Sequence, residues 1–191
     1  MPLENQTEHT EKVTSDSLNW IGLIIRSVIV VAVLTFGLRI IFPGGAILET
    51  GQLAPPVYLE SYDGKPWDIS LLKEKPVLVN FWATWCTPCL QEIPHLVEAA
   101  ETYRDDVTIV GFTVDSPTQD VFEMIRRFGM NYPVAKVDFA TVERWGARTL
   151  PSTFLLDAQQ KIIWSARGTL TKSDLDEVLG ELLPASQARV R

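Results

Sequence analysis

The only two cysteines in this chain, Cys86 and Cys89, are separated by two residues, Thr87 and Pro88. At that spacing the two sulfurs lie on the first turn of a helix, close enough to form and reopen a disulfide with little movement of the backbone. Reversible thiol–disulfide chemistry is therefore the first expectation. Two other readings compete with it. A zinc site needs further ligands, and the only histidines are His9 and His95, so no metal is expected. A buried and inert pair is the other, and it is disfavoured by where the pair sits. The cysteines follow Val77-Leu78-Val79-Asn80-Phe81-Trp82-Ala83-Thr84-Trp85, an almost continuously apolar run that reads as a central strand covered on both faces.

The elements around this stretch follow from periodicity and punctuation. Val57–Glu60 and Trp67–Ile69, separated by Asp63-Gly64, read as a hairpin. Pro88 to Arg104 has a helical apolar period through Leu90, Ile93, Leu96, Val97 and Ala100, with Pro94 expected to kink it. Val107–Val114 is a strand, and Ser116-Pro117-Thr118-Gln119 opens a helix with Ser as its cap, stopping at Gly129. A short strand at Val134–Val137, a helical turn at Thr141–Trp145, a hairpin of Ser152–Leu156 with Ile162–Ala166, and a closing helix at Lys172–Leu182 complete the pattern. The expected fold is α/β, a mixed central sheet flanked by helices, with the dithiol at the carboxyl end of a central strand, where open α/β sheets place their sites.

Composition bounds the rest. A net charge of −7 across 191 residues, without any Lys/Arg cluster, argues against a nucleic-acid partner. Residues 1–19 are polar and read as a disordered tail. Residues 20–42 turn apolar, with no charge between Arg26 and Arg39; as a helix they would be about 34 Å long, enough to cross a bilayer core of about 30 Å. A single transmembrane anchor in the lipid bilayer is expected, followed by a linker at 43–52, a domain at 53–183 and a frayed end at 184–191. A signal peptide cut after Ala46 is the rival, but the preceding region is long and acidic where a signal is short and basic. Lys12 and Arg26 against Arg39 give almost no positive-inside bias, so orientation is inferred from chemistry: disulfides persist outside the cytoplasm. The expected location is the bacterial inner membrane, with the C-terminal domain periplasmic or otherwise extracytoplasmic.

With Phe81-Trp82-Ala83-Thr84-Trp85-Cys86-Thr87-Pro88-Cys89, Pro94 in the same helix, and Leu150-Pro151-Ser152-Thr153-Phe154 downstream, the chain resembles a thioredoxin-fold protein. More narrowly it resembles the membrane-anchored TlpA/ResA-like thioredoxins, which share the N-terminal β-hairpin extension, Asn80 before Phe-Trp, and the stretch Phe128 to Val134. The resemblance covers Gly51 to about Leu183. It implies a cis Pro151 facing the disulfide, leaving the Leu150 backbone to pair with an extended substrate. It also implies apocytochrome c, another extracytoplasmic thiol protein or a metal chaperone as the disulfide-containing client, and a membrane thiol electron donor.

Cys86, expected at the helix N-terminus, is the nucleophile by position, because unpaired N–H groups there favour the thiolate. Cys89, one turn further in, is the resolving thiol. Cytosolic thioredoxins carry a buried Asp where this chain has Asn80, which cannot take a proton. Glu92, three residues after Cys89, matches an active-site Glu of ResA-like proteins and is expected to tune or deprotonate Cys89; a solvated Glu in the first turns of a helix is the alternative. Trp85, Thr87 and Pro88 are expected to rim the partner-docking surface, and Trp82 to pack in the fold. No cofactor is expected.

The function expected is a protein disulfide oxidoreductase, acting as a reductant of partner disulfides. A disulfide-donating oxidase or isomerase is the alternative, and a non-enzymatic docking module a further one. A peroxidase is set aside, because Val79 and Trp82 occupy the proline positions that a Pro-x-x-x-Thr-x-x-Cys site requires.

Overall fold

The computed structural model describes residues 20, 22–34, 48, 50–62, 64, 66–69, 72 and 75–182. The tail at 1–19, residues 35–42 of the expected anchor, most of the linker and the end at 184–191 lie outside the described residues. The chain divides into two units, Met1–Gly44 and Gly45–Arg191. In the first, residues 22–34 form a helix, α1. Its large apolar side chains are exposed all round, among them Leu23, Ile25, Val28, Val31 and Leu34. Among the described residues no helix is both long and apolar enough to cross a membrane.

The second unit is built on one five-stranded sheet. Its strands are β3 (Val77–Trp82), β4 (Thr108–Val114), β5 (Val134–Val137), β6 (Ser152–Leu156) and β7 (Ile162–Arg167), in spatial order β5-β4-β3-β6-β7. β3, β4 and β5 run parallel, whereas β6 and β7 are antiparallel to their neighbours. A separate antiparallel pair, β1 (Tyr58–Glu60) and β2 (Pro66–Asp68), precedes them. The helices are α2 (Thr87–Thr102), α3 (Thr118–Phe128), α4 (Phe139–Arg144) and α5 (Lys172–Leu182).

β3 is buried along its whole length because each of its faces meets a separate core. Leu78 and Trp82 point into a cluster with Ile93 and Leu96 of α2, Val121 of α3, and Leu175 and Leu179 of α5. Val77, Val79 and Phe81 point the other way, where Phe81, Phe112, Trp145 and Phe154 pack with ring centroids 5.3 to 6.3 Å apart, mostly edge to face. A strand with apolar partners on both sides has no reason to alternate, which is why its sequence is nearly continuous hydrophobe.

The chain before the sheet fastens both of its edges. Ser61 bridges to Ala135 beside β5, with Ser61 Oγ donating to the Val134 carbonyl at 2.9 Å. Leu53 bridges to Lys161 ahead of β7, with the Gly51 and Ala54 amides donating to Ile162 and Gln160. Otherwise unpaired edge groups are thereby occupied.

One local expectation is corrected. Ser116 does not cap α3, whose N-cap is Pro117 with no side-chain bond. Instead Ser116 Oγ donates to the Val114 carbonyl at 2.9 Å and accepts from the Thr84 amide at 3.1 Å, so the hydroxyl is used across the sheet end. Pro94 lies inside α2, as expected, and α2 is helical throughout Thr87–Thr102. α3 does stop where expected: Gly129 takes the left-handed conformation, φ 61°, that closes a helix C-terminus without Cβ strain.

Candidate active site

β3 delivers the chain to α2, and the dithiol stands at the junction. Cys86 is the N-cap of α2, and its sulfur accepts from the Cys89 amide at 3.3 Å. The two cysteines are joined in a disulfide, with Cα atoms 5.3 Å apart. Cys86 is 6% exposed and Cys89 1%, so what little access exists is through Cys86. Thr87 and Pro88 are exposed beside it, and the Pro88 carbonyl accepts from Thr169 Oγ1 at 3.3 Å.

Beneath the disulfide lies a buried polar group that α2 carries toward the sheet. Glu92 is 0% exposed, which overturns the alternative of a solvated helix glutamate. Asn80 and Thr153 are paired in register across β3 and β6, so their side chains meet on the face that α2 covers. Asn80 Nδ2 donates to Thr153 Oγ1 at 3.0 Å and to Glu92 Oε2 at 3.4 Å, and Thr153 Oγ1 donates to Glu92 Oε1 at 3.5 Å. The two contacts to the carboxylate are at the long end of hydrogen bonding and weakly stabilise its charge. Burial therefore prevails: it pushes the Glu92 carboxyl up to about 7, against smaller opposing effects from Asn80, the Leu170 backbone and Thr153. A carboxyl with that value exchanges a proton readily near neutrality.

The peptide bond between Leu150 and Pro151 is cis. Pro151 is buried, and Leu150 and Trp85 line the same cleft, of about 540 Å3, together with Val114, Phe139, Arg148 and others. Trp85 is 62% and Phe139 71% exposed. The Trp85 indole is held by donating to the Asp115 carbonyl at 2.9 Å, with Asp115 at a positive φ of 41°. Arg148 and Glu143 form an ion pair on the cleft's rim.

Thus Cys86, Cys89 and Glu92 stand within the first two turns of α2, and Trp85 and Leu150 line one cleft, whose lining does not include Thr87, Pro88 or Pro151. Thr153 and Phe139 were not anticipated. The first could have been found by pairing the strand after Pro151 with β3, because an antiparallel partner places a hydroxyl opposite Asn80. For the second, sequence offers only an aromatic at a helix start, which core packing explains equally well.

The geometry is shared with known proteins. A solved thiol:disulfide interchange protein of the thioredoxin family from Chlorobium tepidum TLS superposes with a TM-score of 0.63 at 29% identity, covering 69% of this chain and 96% of that one. The thiol-disulfide oxidoreductase ResA of Bacillus subtilis (strain 168) is 31% identical over 146 residues, 75% of this chain and 82% of that protein. The ResA of Geobacillus thermodenitrificans (strain NG80-2) is 31% identical over 169 residues, 85% of this chain and 97% of that protein. Residues 50–165 match the model of the AhpC/TSA family. Fold and paired cysteines together define the class, a thiol-disulfide oxidoreductase of thioredoxin fold. The chain belongs to the AhpC/TSA family, with the ResA oxidoreductases among its homologues.

Proposed function

We propose that the protein is a membrane-anchored, extracytoplasmic reductant of disulfides in partner proteins. The observation that carries this reading is Glu92, fully buried within one helical turn of the resolving cysteine and poised near neutrality. In the reduced protein the Cys86 thiolate attacks one sulfur of a client disulfide. The client's other sulfur leaves as a thiolate, and a mixed disulfide joins Cys86 to the client. Glu92 takes the proton of Cys89, whose thiolate attacks Cys86 and releases the second client sulfur. The Cys86–Cys89 disulfide that results is reduced again by a membrane thiol donor, which supplies the two electrons. The Cys89 amide, 3.3 Å from the Cys86 sulfur, and the start of α2 favour the Cys86 thiolate.

Client docking is assigned to Trp85, Thr87, Pro88, Leu150 and Pro151. Of the large apolar side chains exposed among the described residues of Gly45–Arg191, which are Leu53, Trp85, Phe139 and Leu182, two rim the cleft beside the cysteines. An extended client segment pairing with the backbone at Leu150 would lay an apolar side chain between them. The family resemblance supports apocytochrome c, another extracytoplasmic thiol protein or a metal chaperone as the client. Anchoring is supported by the all-round apolar exposure of α1, as a helix facing lipid requires, and by the apolar run of residues 20–42.

Two measurements test this. The reduction potential of the pair is expected near that of thioredoxin, about −270 mV, whereas a value near about −120 mV would make the protein an oxidase. Cys89→Ser, expressed in the native membrane, is expected to trap clients on Cys86; recovery of none would count against the reading.

A further inference from the structure

β4 ends at Val114, and at the next residue the backbone leaves the extended region altogether: Asp115 has a φ of 41°. Among the described residues only one other non-glycine residue has a positive φ, Gln160 at 64°, and it closes the turn between β6 and β7, donating its amide to the Asp157 carbonyl. Asp115 closes no hairpin. It stands where β4 gives way to the segment leading into α3, and it lines the cleft together with Trp85. A left-handed backbone is uncommon for any residue with a Cβ; Asp and Asn bear it best, and β-branched residues worst. Such an outlier, placed at a functional site, asks what it does there. The hydrogen bonds answer, because the dihedrals of a residue fix where its carbonyl points. The Asp115 carbonyl accepts the Trp85 indole N–H at 2.9 Å. Trp85 is 62% exposed, and this bond is the indole's polar tether among the described residues. The Asp115 side chain is exposed and makes no hydrogen bond or ion pair among the described residues, so the residue acts through its main chain.

We propose that Asp115 is a positioning residue for client docking: its left-handed backbone aims the carbonyl that holds the Trp85 indole at the cleft, one residue ahead of the nucleophilic cysteine. This rests on the reading of Trp85 as a docking residue and says what holds its ring ready. A large exposed side chain fixed before the client arrives spares the complex the cost of ordering it. The identity of residue 115 matters through its backbone preference and not through its charge. Asn tolerates the same left-handed conformation without a charge, and Gly does so without a Cβ. Val has neither property, and its branched Cβ drives the backbone out of that region and turns the carbonyl away from the indole.

The test separates backbone from charge. Hydrogen exchange of the Trp85 indole N–H is followed by NMR in the full-length oxidised protein in detergent micelles, with the resonance assigned by its loss in Trp85→Phe. The KM for a protein disulfide is measured alongside it. Asp115→Val is expected to speed the exchange and to raise KM, each at least about threefold, with the loss appearing in KM rather than in kcat. Asp115→Ala, which lacks the branched Cβ and threatens the fold less, is expected to move both quantities in the same direction. Asp115→Asn and Asp115→Gly are expected to restore the wild-type values. Wild-type exchange in both Asp115→Val and Asp115→Ala overturns the proposal, and so does an Asp115→Asn variant that loses as much as Asp115→Val, since that would place the effect in the carboxylate. The docking reading fails separately if Trp85→Ala leaves the KM for the protein disulfide unchanged while the exchange contrast between Asp115→Val and Asp115→Asn stands; that outcome removes the docking role of both residues.

Discussion

A carboxyl group buried among a carboxamide and a hydroxyl, with no cation against it among the described residues, is an unstable arrangement, and its consequences are measurable one residue at a time. Glu92 has an ordinary value of 4.5 and is raised to about 7 in the fold. Below pH 4.5 it is protonated in both states and does not affect stability. Between those values the unfolded chain releases the proton and the folded chain keeps it, so stability falls as pH rises, and above about 7 the loss is complete. The shift corresponds to about 3 kcal/mol as an order of magnitude. Glu92→Gln is therefore expected to match wild type near pH 4.5 and to exceed it by up to about 3 kcal/mol at pH 8, read by urea unfolding with the disulfide intact. The same variant is expected to lose the inflection near pH 7 in the Cys89 alkylation rate. A residue that lowers stability where the protein works is what a stability–activity compromise looks like.

At the scale of elements, the active-site turn is held by the two residues that follow β4, Asp115 and Ser116. Ser116, 5% exposed, accepts the Thr84 amide just ahead of the cysteines and donates to the end of β4. Ser116→Ala leaves the Thr84 amide without that acceptor and is expected to lower stability by about 1–3 kcal/mol in chemical denaturation. At the neighbouring residue, the Trp85 indole is pinned to the Asp115 carbonyl, and Trp85 lines the cleft. Trp85→Ala is expected to raise the KM for a protein disulfide several-fold while leaving the rate with a small aliphatic disulfide near wild type, since the latter needs no docking surface. Equal losses on both substrates would show that Trp85 supports the turn rather than the client. The two helices that carry no chemistry, α3 and α5, contribute Val121, Leu175 and Leu179 to the core under α2. They hold the helix that holds the dithiol.

For the whole molecule, the division at Gly44 separates a helix with apolar side chains exposed all round from the unit that contains every residue assigned to the chemistry. A fragment starting at Gly45 is expected to reduce a model disulfide at the rate of the full chain and to appear in the soluble fraction, while the full chain stays with membranes through an alkaline carbonate wash. Release of the full chain by that wash would remove the anchor from the proposal. The acidic balance, −7 over the whole sequence, is compatible with this and has no further consequence for the site.

Much of this was readable without coordinates. The strand at Val77–Trp82, the helix stop at Gly129 and the closing helix at Lys172–Leu182 follow from local causes, namely hydrophobic period and backbone chemistry, and the sequence carries those in full. The reactive pair was legible for the same reason, since a spacing of three on a helix start is a local geometry. What lay beyond reach depends on pairings between distant segments. Whether Glu92 faces water or the sheet was undecidable from α2 alone; it was decided by Asn80 and Thr153, which meet only because β6 runs antiparallel to β3. Ser116 looked like a cap because its neighbours fit that pattern, and it bonds across to Thr84 because the ends of β3 and β4 lie side by side. Amino-acid order by itself determined that two thiols would sit where a strand becomes a helix. The tertiary structure alone decided that a carboxyl group would lie buried behind them, because burial and register are properties of the assembled sheet.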